Sequence, residues 1–237
     1  MTFHALTLAA FWLALATPAA RAAECALALA LALDISSSVN EREYAIQKDG
    51  LAAALRDPEV RAAALANPGS VWIAAYEWSG WQQQDMIADW QQISSAADLD
   101  ALSARIEAHQ RTYAVFSTAI GEGLQFGERL MSRLPKPCLR EVIDVSGDGV
   151  NNEGLDPKRS RANGRLAGIT VNALVIKGAT PDPEPFYRDH VIGGPGAFMM
   201  IARNGFEDYP DMIIGKLVRE IMPPVFIGAL DPTATAQ

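Results

Sequence analysis

The sequence predicts a doubly wound α/β fold, with a mostly parallel six-stranded sheet, one antiparallel edge strand and helices on both faces. Three observations carry this reading. The chain has 237 residues, 49% hydrophobic and 20% charged, which suits one principal globular domain. A continuous apolar run from Ala26 to Leu33 stops at Asp34 and gives way to a serine-rich turn and a polar helical stretch, as expected of a parallel strand buried on both faces. Further apolar runs then alternate with helical spacing, and no internal repeat is visible, a pattern that specifies a wound sheet with its ligand site at the carboxyl ends of the strands.

Each element follows from local chemistry. Ala and Leu favour helix by propensity, so the first strand is assigned from the Ser-rich turn behind it and the helix expected over Glu41 to Leu55. Ser70 to Trp78 and Gln84 to Trp90 read as an antiparallel hairpin around Ser79-Gly80. Ser95 to His109 has helical spacing with Asp98 early, and a helix over Thr118 to Leu134 is stopped by Pro135 and Pro137. Arg140 to Ser146 reads as a strand, Asp156 to Leu166 as a helix and Thr170 to Ile176 as a second buried strand. A proline-rich loop from Thr180 to Pro185 leads to a short helix near Phe186 to Val191, a last strand at Ala197 to Ala202 and a terminal helix at Tyr209 to Ile221.

The ends are separate. Ala5 to Ala16 is apolar, Pro18 breaks it, and Ala20-Arg21-Ala22 is a small-x-small cleavage signal, so residues 1–22 read as a secretory signal peptide. The run is shorter than the roughly 20 residues a spanning helix needs. The domain then occupies residues 23–222, followed by a flexible tail over 223–237, with no stable membrane span after cleavage. Lys and Arg number 20 against 28 Asp and Glu, a net charge of −8, which argues against nucleic acid as a partner.

Candidate chemistry sits where strands end. Asp34, Ser36 and Ser38 present three oxygens in one turn, Asp148 follows a later strand within Ser146-Gly147-Asp148-Gly149, and Thr118 stands at the start of a helix. Two carboxylates and three hydroxyls make an oxygen-only set, the kind chosen by hard cations. A serine turn after a strand is by itself more often a helix cap. Agreement of the three pieces in this order is what favours a site. Thr112 competes with Thr118, which is preferred because Ala119-Ile120 open the helix directly behind it.

These residues resemble a von Willebrand factor A-like domain over roughly Leu27 to Ile221. That family's metal-ion-dependent adhesion site uses an Asp-x-Ser-x-Ser motif, a Thr from a later loop and an Asp followed by Gly, which map onto Asp34, Ser36, Ser38, Thr118 and Asp148. The run Val145 to Asn152 is similar to a bacterial secreted branch classed as a domain of unknown function. The resemblance implies a divalent cation, Mg²⁺ foremost with Mn²⁺ or Ca²⁺ as alternatives, and a protein partner that fills an open position with Glu or Asp. Ser146-Gly147-Asp148 carries one residue more than the common strand-Thr-Asp-Gly form, which leaves open direct or water-mediated contact by Asp148. The expected function is a periplasmic or secreted protein-binding module. A Mg²⁺-dependent hydrolase or a structural envelope protein with a vestigial site are the alternatives.

Glu77, Trp78 and Trp81 at the hairpin tip, with Asn151 and Asn152, are expected to form a partner-binding rim, although tryptophans there could equally pack the sheet edge with Trp90. Cys25 and Cys138 are the only cysteines. In an exported chain whose first and fourth strands are parallel neighbours they should form a disulfide, two buried thiols being the alternative. Asp144 lies among Val142, Ile143 and Val145, where a lone carboxylate is costly, so it is expected to be structural or to sit behind the ligands. Its Asp-x-Ser-x-Asp-Gly run imitates an EF-hand, but position twelve is Leu155 and a strand precedes it. No Gly-x-Ser-x-Gly elbow or P-loop is present, and His109 and His190 have no His or Cys at ligand spacing, so an enzyme is not expected.

Overall fold

The computed structural model describes residues 25–222 apart from 163 and 165. The expected signal peptide and tail lie outside the described residues. Six strands form one sheet in the order β3-β2-β1-β4-β5-β6, comprising β1 (Cys25–Asp34), β2 (Ser70–Trp78), β3 (Gln84–Ile93), β4 (Arg140–Gly147), β5 (Ile169–Ile176) and β6 (Met199–Ala202). Only β3 is antiparallel to its neighbour. The helices are α1 (Glu41–Arg56), α2 (Pro58–Leu65), α3 (Ala96–Ala108), α4 (Ile120–Met131), α5 (Pro157–Ala162), α6 (Pro183–Phe186), which runs into a π-helical turn over Tyr187–Val191, and α7 (Tyr209–Ile221).

The predicted architecture is therefore the observed one, with local differences. Sequence reading passed over α2, although Asp57 caps it by accepting from Glu59 N at 2.8 Å and Pro58 opens it. The helix expected over Asp156 to Leu166 covers only Pro157–Ala162. The last strand begins at Met199, two residues later than expected.

The alternation along β1 explains how Ala-Leu repeats become a strand. Leu27, Leu29, Leu31 and Leu33 enter one core with α1, α3 and α7, while Ala28, Ala30 and Ala32 enter the other with Ile120, Leu124 and Leu130 of α4. Burial on two faces overrides helix propensity. The alanine face also admits a close helix. A Cβ on Gly127 would stand 2.7 Å from the Ile143 Cδ1 and Tyr76 hydroxyl, so glycine lets α4 approach the sheet.

Cys25 and Cys138 form the expected disulfide, their Cα atoms 4.5 Å apart. The β1–β4 register begins with Leu27 opposite Arg140, and Leu139 N donates to Cys25 O at 3.0 Å. The covalent link thus closes the end of the two central strands opposite Asp34 and Asp148.

Candidate metal centre at the carboxyl end of the sheet

The serine turn is built by Asp34 itself. Its Oδ1 accepts from Ser36 N at 2.8 Å, the side-chain-to-backbone bond by which Asp folds a turn on itself. Ser36 Oγ lies 3.1 Å from Ser38 Oγ, and Ser38 Oγ donates to Asp148 Oδ1 at 2.7 Å across 110 residues. Asp34, Ser36, Thr118 and Asp148 are all buried.

Thr118 is delivered by a loop stapled from the other side. Its N–H donates to Asn152 Oδ1 at 2.8 Å, and its carbonyl accepts from Asn152 N at 2.9 Å. A Cβ on Gly149 would stand 3.5 Å from Thr118 Oγ1 and 3.8 Å from Ser38 Oγ. The five predicted side chains therefore converge on one lip of the sheet. Thr112, the rival threonine, is turned away, its hydroxyl donating to Asp85 at 2.8 Å.

The register accounts for the extra residue. With Leu33 opposite Ser146, Gly147 and not Asp148 is level with Asp34. A Cβ there would meet the Tyr187 hydroxyl at 2.2 Å and Asp34 Oδ2 at 2.9 Å, so only glycine fits and the carboxylate arrives one residue later.

Electrostatics leaves this lip unbalanced. Burial first, and Asp148 second, push the Asp34 carboxyl up to about 7, because desolvation and a like charge both disfavour ionisation. Burial also raises Asp148. Asp34 Oδ2 and the Tyr187 hydroxyl are buried without a hydrogen-bond partner. An oxygen-only donor set with an orphaned carboxylate oxygen fits a hard divalent cation.

Two supporting residues escaped sequence reading. Arg111 Nη2 donates to the carbonyls of Ile35, Ser36 and Val39 at 2.9, 3.1 and 2.8 Å, and Gln47 Nε2 donates to Asp34 O at 2.9 Å. Together they hold the turn by its backbone. Neither carried a motif, and only the fold brings them there.

The rim differs from expectation. Glu77 is fully buried and Trp78 is 1% exposed, because Glu77 faces Tyr44 of α1 and Trp78 packs beneath Gly123 of α4, so neither offers a surface to a partner. Trp81 at 59% exposure does, joined by Val115 and Phe116. Asn152 serves the Thr118 loop, and Asn151 Oδ1 accepts from Gly121 N at 3.3 Å. Beside Asp148 lies a cleft of about 470 Å³ lined by Arg42, Lys177 and Arg203 among others. Among the described residues no helix is long and apolar enough to cross a membrane.

A mostly parallel sheet of this order, flanked by helices, is the von Willebrand factor A-like fold. Solved structures with the same fold include proximal thread matrix protein 1 from the mussel byssus (TM-score 0.60, 16% identity, covering 84% of this chain and 48% of that one). That protein is also solved with a zinc-occupied MIDAS motif. A von Willebrand factor type A structure from Catenulispora acidiphila gives a TM-score of 0.57 at 14% identity, over 83% of this chain and 43% of that one. The PilB minor pilin of Streptococcus sanguinis gives 0.58 at 13%, over 86% and 63%. The chain spans less than two thirds of each. No curated protein matches it. The chain belongs to the family described as protein of unknown function (DUF1194), whose profile matches residues 24–225.

Proposed function

We propose that this domain is a metal-dependent protein-binding module, in which Asp34, Ser36, Ser38, Thr118 and Asp148 hold a divalent cation, Mg²⁺ foremost, directly or through water. The bound ion supplies a positive centre with an open position for a carboxylate of a partner protein. The observation that carries this reading is the convergence of those side chains on one lip of the sheet, where Asp34 Oδ2 is buried without a hydrogen-bond partner. The turn stays in place because Arg111 and Gln47 grip its carbonyls. Exposed Trp81, Val115 and Phe116 give a partner apolar surface beside the charge.

On the same reading residues 1–22 direct export and the module works in the periplasm or outside the cell. The Cys25–Cys138 disulfide supports this, since such bonds persist in oxidising compartments. Titration calorimetry with Mg²⁺, Mn²⁺ and Ca²⁺, run beside pull-downs from an envelope extract in Mg²⁺ or chelator, tests the proposal. Asp34→Ala should lose both cation binding and capture while its circular dichroism stays that of the parent. Capture that survives in chelator would overturn the metal mechanism.

A further inference from the structure

We infer that Glu77, Asp85 and His109 form a second cation site, of the zinc class, on the other side of the sheet from the Asp34 side chain. One potential ligand atom from each of the three residues lies within 4.8 Å of the other two. Glu77 sits on the sheet face that packs against α1, whereas Asp34 follows the alanine face of β1. The inference stands independently of the function proposed above.

Two observations point to an ion. In the hairpin, Glu77 is directly opposite Asp85. Like charges in that position repel, and no Lys or Arg bridges them among the described ion pairs. His109 Nε2 supplies the second. It is buried 3.2 Å from Glu77 Oε2, yet makes no hydrogen bond. A nitrogen and an oxygen that face each other at this distance without hydrogen-bond geometry have the spacing of two neighbours on one metal. Bonds of about 2.0–2.2 Å at tetrahedral to octahedral angles set such atoms about 3.0–3.4 Å apart.

The surroundings also suit a site. Thr112 N donates to Glu77 Oε1 at 2.7 Å, the Tyr44 hydroxyl to Glu77 Oε2 at 3.3 Å and Thr112 Oγ1 to Asp85 Oδ2 at 2.8 Å, so both carboxylates are oriented from outside, as outer donors do around metals. Asp85 and His109 are partly exposed, which allows solvent to complete the coordination. An imidazole with two carboxylates selects Zn²⁺ and its neighbours over Mg²⁺ or Ca²⁺. The ion would fasten the β2–β3 hairpin to the start of the segment that ends at Thr118.

The test is Zn²⁺ binding by the mature protein, measured by calorimetry and by metal analysis after dialysis. The Asp34→Ala protein should still bind one Zn²⁺, which separates this site from the lip. His109→Gln and Asp85→Asn should each weaken that binding at least tenfold, leaving Mg²⁺ titration and circular dichroism at parental values. Co²⁺ should give d–d absorption bands that His109→Gln shifts or abolishes. Loss of all Zn²⁺ binding in Asp34→Ala, or an unchanged Zn²⁺ isotherm in His109→Gln, would overturn the inference and leave His109 and Glu77 as a polar contact within the fold.

Discussion

Two pairs of buried acids lie against this sheet, and they are balanced differently. Toward α7, Asp144 and Glu220 share Lys216, whose Nζ donates to Asp144 and, at 2.6 Å, to Glu220, while Asn172 donates to Glu220 at 2.8 Å. Burial first, and Asp144 second, push the Glu220 carboxyl up to about 8, against the opposing pull of the Lys216 ammonium. At the lip, Asp34 and Asp148 accept from Ser36 N and Ser38 Oγ, and among the described ion pairs no basic side chain meets them. Helix α7 supplies a cation where the acids serve packing. At the carboxyl ends of the strands the protein supplies none, and that deficit is what an external ion would meet.

The contrast can be broken from either side. Lys216→Met strands two buried acids and should cost about 3–5 kcal/mol in denaturant unfolding, with no recovery in Mg²⁺. Asp34→Asn should do the reverse: metal-free stability stays level or rises, while the protection that parent protein gains from Mg²⁺, about 2.7 kcal/mol at a hundredfold excess over Kd, disappears from the melting curve.

A pH series sharpens the comparison. The folded Asp34 carboxyl keeps its proton to about 7 against 3.8 for the unfolded reference, so between those values the native state binds the extra proton. Stability of metal-free protein relative to Asp34→Asn is therefore fullest below about pH 4 and declines up to about pH 7, by at most ~1.4 kcal/mol per pH unit. Saturating Mg²⁺ should flatten that decline and leave untouched the one from Glu220, which runs on to about pH 8. Ser38→Ala is the mildest change. It removes one hydroxyl from Asp148 and should cost about 1 kcal/mol or less in unfolding, with a clear drop in Mg²⁺ affinity by calorimetry.

What could be read from sequence follows from range. The strands were legible because burial on two faces leaves unbroken apolar runs such as Ala26 to Leu33, and Asp34, Ser36 and Ser38 were legible because they share one turn. Asp144 announced itself as an acid in an apolar strand, but its partner Lys216 lies 72 residues away and has no local signal. The same holds for Arg111, held to the turn across 72 to 76 residues. The burial of Glu77 and Trp78 had no local signal, because the tip of a hairpin is usually exposed, whereas here the final strand residues are covered by α1 and α4.

The disulfide has a mechanical side. It joins β1 to β4 at one end, and the Ser38–Asp148 hydrogen bond ties the loops that follow them at the other. Tension running between the lip and Cys25 is then shared by two parallel strands loaded along their length, so their ladder is sheared as a block instead of being peeled rung by rung. A load applied at the lip is thereby carried by both central strands at once.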